Sequence, residues 1–122
     1  MPGWSNRQIH LAAHPIGFPK ETDFALIESS VPRPTDGQML CRTIYLSLDP
    51  YMRGRMNKGP SYARGVDTGD VMVGGTVSQV VESKLDGYEV GDFVLNRNGW
   101  QEYGLSDGTG VRKLDLFVMV MI

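Results

Sequence analysis

The stretch Asp49-Pro50-Tyr51-Met52-Arg53-Gly54-Arg55-Met56 concentrates a phenol, two guanidinium groups and two thioethers immediately after a strand-like run. A plain surface turn needs only Gly, Asn, Asp or Pro. A phenol offers a ring for packing and a hydroxyl for hydrogen bonding, and arginine binds oxyanions and carbonyls. Aspartate caps free backbone N–H groups and proline suits the first helical position, so one short helical turn is expected here, ended by Gly54. On such a turn Tyr51 and Arg55 lie on neighbouring faces four residues apart, and Met52 and Met56 share another. A structural use fits the spacing better: Tyr51 and the methionines would plug one end of a β-barrel while the arginines pair with carboxylates. Spacing by itself leaves both uses open.

Other reactive side chains are sparse. His10 and His14 have a spacing that chelates metal on a helix, but Pro15 and an alternating pattern argue against a helix there, so no metal site is expected. Cys41, the only cysteine, excludes an internal disulfide and a multi-cysteine zinc site. Among Met39, Leu40 and Ile44 it reads as a small buried hydrophobe rather than a reactive thiol. Gly108-Thr109-Gly110 reads as turn chemistry, and no G-x-G-x-x-G opens a helix after a strand. No Ser-His-Asp set is present either, so no catalytic residue is assigned.

The elements that must position these groups are short strands. At 122 residues the chain has the size of one domain, and 41% hydrophobic with 21% charged residues is ordinary globular composition. A formal net charge of -2 steers the molecule toward neither nucleic acid nor anionic membrane. No apolar run is long enough to span a bilayer and the start lacks a secretory pattern, so a cytoplasmic protein is expected. Ile9 to Ala13, Phe24 to Glu28, Met39 to Leu48, Val71 to Glu82, Phe93 to Leu95 and Trp100 to Leu105 read as strands. Gly74-Gly75 interrupts the fourth, which signals a bulge, a bend or a close approach by another backbone or a ligand. With 15 glycines, 7 prolines and almost no helical periodicity, the reading is a mainly β barrel or sandwich.

Tyr45 to Met56, Gly69 to Ser83, Gly87 to Leu95 and Gly99 to Leu114, taken together and in order, resemble the zinc-independent double-bond reductases of the medium-chain dehydrogenase/reductase superfamily. That group includes curcumin, 2-alkenal and prostaglandin reductases, and the likeness runs from about Arg7 to Leu114. It implies a GroES-like partly open β-barrel with short helical turns, the substrate-side domain of an NADPH-dependent enzyme that reduces the C=C bond of α,β-unsaturated ketones or aldehydes. It also implies that Tyr51 contacts substrate, that Pro50 and Met52 lie at the cofactor edge, and that Asp49 and Arg53 hold the turn. Gly75 matches a position where some plant members carry a second substrate-contacting tyrosine, so a wider pocket is expected. Where zinc-dependent relatives place metal ligands, Leu46 to Asp49 and Val71 to Gly74 supply none, so zinc is not expected.

On this resemblance residues 1-115 form the GroES-like domain and residues 116-122, Leu-Phe-Val-Met-Val-Met-Ile, an atypical apolar tail. A Rossmann domain needs roughly 150 residues, so the chain is expected to bind no NADPH alone and to be an inactive truncated or frame-shifted form. The tail is an aggregation hazard unless buried, and self-association through it is expected. A non-enzymatic binding module is the alternative. A minor one is an anion- or nucleic-acid-binding barrel using Arg53, Arg55, Lys58 and Arg64 with Tyr51 and Tyr62; the nearby Asp49, Asp67 and Asp70 offset that charge, and neither nucleic acid nor membrane is expected as a partner.

Overall fold

A computed structural model of the chain describes residues 4–58 and 65–115, so Tyr62, Arg64 and the 116–122 tail lie outside the described residues. The first strand, β1 (Ser5–Leu11), pairs antiparallel with β2 (Phe24–Ser30), in register from Ser5 opposite Ser30 to Leu11 opposite Phe24. Between them the Pro15-to-Pro19 segment is irregular, because proline donates no ladder hydrogen bond. A 3-10 turn, Glu21–Asp23, then leads into β2. Its Asp23 carboxylate is buried and accepts the Lys20 backbone N–H at 2.8 Å.

The remaining strands are β3 (Met39–Leu46), β4 (Thr76–Ser83), β5 (Phe93–Asn96), β6 (Tyr103–Ser106) and β7 (Arg112–Leu114), with one helix, α1 (Tyr51–Arg55), between β3 and β4. They form an antiparallel sheet in the order β6-β3-β4-β5-β7. The two sheets are stitched together at Gln8 opposite Gln101 and His10 opposite Val71. The Ile9 N–H also donates to the Trp100 carbonyl at 2.8 Å, and the Met72 N–H to the Ile9 carbonyl at 3.0 Å. The result is the mainly β, partly open GroES-like barrel expected from the sequence.

Two apolar clusters fill it. Leu11, Met52, Met56, Val66 and Met72 close the end beneath α1, with Phe24, Val73 and Trp100 packed around them. Met39, Cys41, Val80 and Val94 form the second cluster, inside the five-stranded sheet. Cys41 is fully buried, as its apolar neighbours imply, and burial pushes its thiol from 9.0 up to about 11. Arg42, on the opposite face of β3, is exposed.

The structure corrects several expected boundaries. The long strand expected over Val71 to Glu82 begins only at Thr76; Val71 makes an isolated bridge, and Met72 is bonded to Ile9 and Trp100 across the seam between the sheets. The strand expected from Trp100 starts at Tyr103, because the backbone at 100 and 101 turns to meet β1. Strand β7 was not expected, since Arg112-Lys113-Leu114 has neither alternation nor length to reveal it.

Candidate functional site

Helix α1 begins at Tyr51 and differs from the expected turn in three ways. Pro50 occupies the cap position and no side chain caps the helix, so Asp49 is not the capping group expected. Its carboxylate instead accepts the Ser47 hydroxyl at 2.8 Å, while its backbone carbonyl takes the Met52 N–H at 3.1 Å. The helix also runs through Gly54 to Arg55, and Met56 closes it by donating its N–H to the Arg53 carbonyl. Among the described residues Arg53 pairs with no carboxylate: Nε donates to the Gly17 carbonyl at 3.0 Å, Nη2 to the Pro15 carbonyl at 3.0 Å, and Nη1 to Asn57 Oδ1 at 2.7 Å. One guanidinium thereby fastens the β1–β2 loop to α1. His14 Nδ1, 2.7 Å from the Met56 carbonyl oxygen, fastens the same loop from the other side as a donor.

The helical spacing does what the sequence pattern implied. Met52 and Met56 point into the core together, and the Arg55 guanidinium stands 5.4 Å from the Tyr51 ring centroid. Tyr51 stays 36% exposed on the outer side of the helix, so its ring is available to a ligand. Pro50 is exposed, whereas the Met52 side chain is committed to the core.

Gly74 and Gly75 come to lie beside this helix. The Ser47 N–H donates to the Gly75 carbonyl at 3.0 Å. A Cβ built at Gly74 would fall 2.8 Å from Leu46 Cδ1, 3.1 Å from Met52 Cε and 3.3 Å from Trp100 Cδ1. At Gly75 nothing lies within 4 Å of a Cβ, so that position opens onto free space. The glycine pair thus separates two jobs, close packing against α1 and an open side facing outward. Apolar groups rim the area: Leu46 is 36% and Leu48 71% exposed.

A shallow groove of about 280 Å³ lies behind this rim, lined by Ile9, Leu26, Leu46, Gly99 and Trp100 among others. Larger hollows lie elsewhere, about 420 Å³ near Asn96, Asp107 and Val111 and about 460 Å³ near Trp4, Arg42 and Glu102. None of the three shares a residue with α1 or the glycine pair, so neither size nor lining selects the site. Among the described residues no group of three or more His, Cys, Asp or Glu is placed to hold a metal; His10 Nε2 lies 2.9 Å from Gln8 Oε1. Nor is any described helix long and apolar enough to cross a membrane.

Residues 7–114 match the family described as the N-terminal domain of oxidoreductase. The chain is 55% identical over 109 residues to the NADPH-dependent curcumin reductase of Escherichia coli strain K12, covering 89% of this chain and 32% of that protein. It is 36% identical over 106 residues to the NADP(+)-dependent 2-alkenal reductase of Nicotiana tabacum, covering 83% of this chain and 31% of the other. The structure superposes on the crystal structure of CurA from Vibrio vulnificus in complex with NADPH with a TM-score of 0.82 at 53% identity, covering 88% of this chain and 31% of that one. The chain therefore spans about a third of the length of these relatives. By the match across nearly all of its described strands, this chain belongs to the family of oxidoreductase N-terminal domains.

Proposed function

We propose that this domain is the substrate-side wall of an NADP(H)-dependent reductase acting on the C=C bond of an α,β-unsaturated ketone or aldehyde. The observation that carries this reading is Tyr51, left 36% exposed on a helix pinned by Met52, Met56 and Arg53. The similarity to reductases named for curcumin and for 2-alkenals supports the substrate class. Tyr51 would lay its ring along the conjugated system and direct its hydroxyl to a polar group of the substrate. Gly75 would leave room for a bulky one. Pro50 and the backbone at Met52 would border the cofactor.

Among the described residues α1, five residues long, is the one α-helix, and no strand-loop-helix unit offers its N–H groups to a pyrophosphate. These residues alone therefore do not fit a dinucleotide. A nicotinamide cofactor, which would supply the hydride chemistry, would have to be held by groups other than the described residues. The part played by this domain is to bind, orient and exclude water. On this reading the described residues do not by themselves turn over substrate.

The test is a titration of the purified chain with benzylideneacetone, followed by nuclear magnetic resonance, alongside NADPH binding by nicotinamide fluorescence. We expect the Tyr51 ring signals to shift, the affinity to fall at least roughly fivefold in Tyr51→Ala as an aromatic contact is lost, and NADPH to bind neither detectably nor productively. Shifts confined to the hollow around Trp4 and Tyr103 would overturn the site. Saturable NADPH binding with enone-dependent oxidation would overturn the division of labour between this domain and the rest of the enzyme.

A further inference from the structure

The two arginines of α1 are used differently. Arg53 spends its donors on the Pro15 and Gly17 carbonyls and on Asn57. Arg55 is half-buried against Tyr51, and among the described residues its guanidinium is paired with no carboxylate. By contrast Arg7 holds Glu102 at 2.9 Å, Lys20 holds Asp23 at 3.3 Å, and Arg33 and Lys113 reach Glu82 and Asp92. Gly54, directly before Arg55, has nothing within 4 Å of a Cβ, so the surface there is open.

A guanidinium resting on a ring face keeps its in-plane N–H donors free for an oxyanion. The four-residue spacing holds that cation on the ring proposed to carry the substrate, with 5.4 Å between the guanidinium carbon and the ring centroid. From this we propose that Arg55 is a specificity-determining residue: it receives an anionic substituent, a carboxylate in the first place, on an unsaturated carbonyl compound whose conjugated part lies against Tyr51. This rests on the function proposed above and narrows its substrate class to conjugated enones or enals that carry an acid group. A phosphate of the cofactor has the same chemistry, so the test separates the two sources.

The 122-residue chain is titrated at low salt with benzylideneacetone, with its para-carboxy analogue and with NADP+, reading the Tyr51 ring and the Arg55 Nε–H resonances. The carboxylate is expected to bind roughly tenfold more tightly than the neutral enone, the yield of one charge-assisted hydrogen-bonded contact. That preference disappears in Arg55→Gln, survives in part in Arg55→Lys, and shrinks at high salt. Equal affinity for the two enones, or a preference that persists in Arg55→Gln, overturns the proposal. So does an Arg55 shift caused by NADP+ and not by the acid, which assigns the guanidinium to a cofactor phosphate. If the neutral enone moves Tyr51 and the carboxylate adds nothing, Arg55 alone loses its role; if neither enone moves Tyr51, the substrate site falls with it.

Discussion

Gly74 and Gly75 are neighbours in the chain with opposite surroundings. At Gly74 a methyl group would crowd Leu46, Met52 and Trp100 at 2.8 to 3.3 Å, although the first two present flexible side-chain ends. Gly74→Ala is therefore expected to cost about 1 kcal/mol, the lower end of overpacking. Gly75→Ala meets nothing and has no positive backbone φ to strain, so it should change stability by no more than about 0.5 kcal/mol. Urea midpoints at unchanged m-value measure both, and equal costs at the two positions would contradict this packing. The paired glycines signalled a close approach in the sequence, but no local rule says which member is crowded. Leu46 ends β3 and Trp100 lies in the connection between β5 and β6, and only their convergence on α1 decides it.

At the scale of elements, the sheet is pinned by a polar network that the sequence did not reveal. The inward face of β4 carries Thr76 and Ser78, both buried. Thr76 and Ser78 hydroxyls donate to Asn96 Oδ1 at 2.6 and 2.8 Å, and Asn96 Nδ2 donates to Asn98 Oδ1 at 3.0 Å. Asn98 Nδ2 then reaches the Cys41 carbonyl and Thr43 Oγ1, both at 3.0 Å, so one amide ties the turn after β5 to β3. Asn98→Ala would leave several buried acceptors and donors without partners, at an expected cost of about 2 kcal/mol. A thermal or urea transition moved by less than about 0.5 kcal/mol would show that the network contributes little. Asn and Ser in a Gly-rich stretch look like turn residues locally; their burial follows from the curl of the sheet over them.

For the whole molecule, the charge arrangement predicts an acid limit to stability. Asp23, Asp92 and Asp107 are held below the usual carboxylate range chiefly by backbone N–H donors of Lys20, Glu89 and Thr109, and Glu102 chiefly by its hydrogen bond from Arg7. A carboxylate lowered in the folded state contributes stability that is present above its unfolded pKa and is lost as pH falls through the folded one. Melting temperature should therefore hold near neutral pH and decline below about pH 4. At the alkaline end the buried Cys41 thiol acts with the opposite sign: its contribution is complete below 9.0 and is lost as pH rises toward about 11. Melting curves across pH check both limits, and a melting temperature that does not fall in acid would contradict the carboxylate arrangement.

The sequence by itself determined the β-rich class, the short helix with Met52 and Met56 on one side and Tyr51 and Arg55 on the other, and the burial of Cys41. Each follows from local periodicity, spacing or an apolar neighbourhood. Tertiary structure decided where β4 begins, which glycine is packed, what Asp49 and Arg53 bind, and that Thr76, Ser78, Asn96 and Asn98 form one buried network. Those outcomes depend on groups far apart in the chain, brought together when two sheets close around a shared core, and no short-range pattern encodes them.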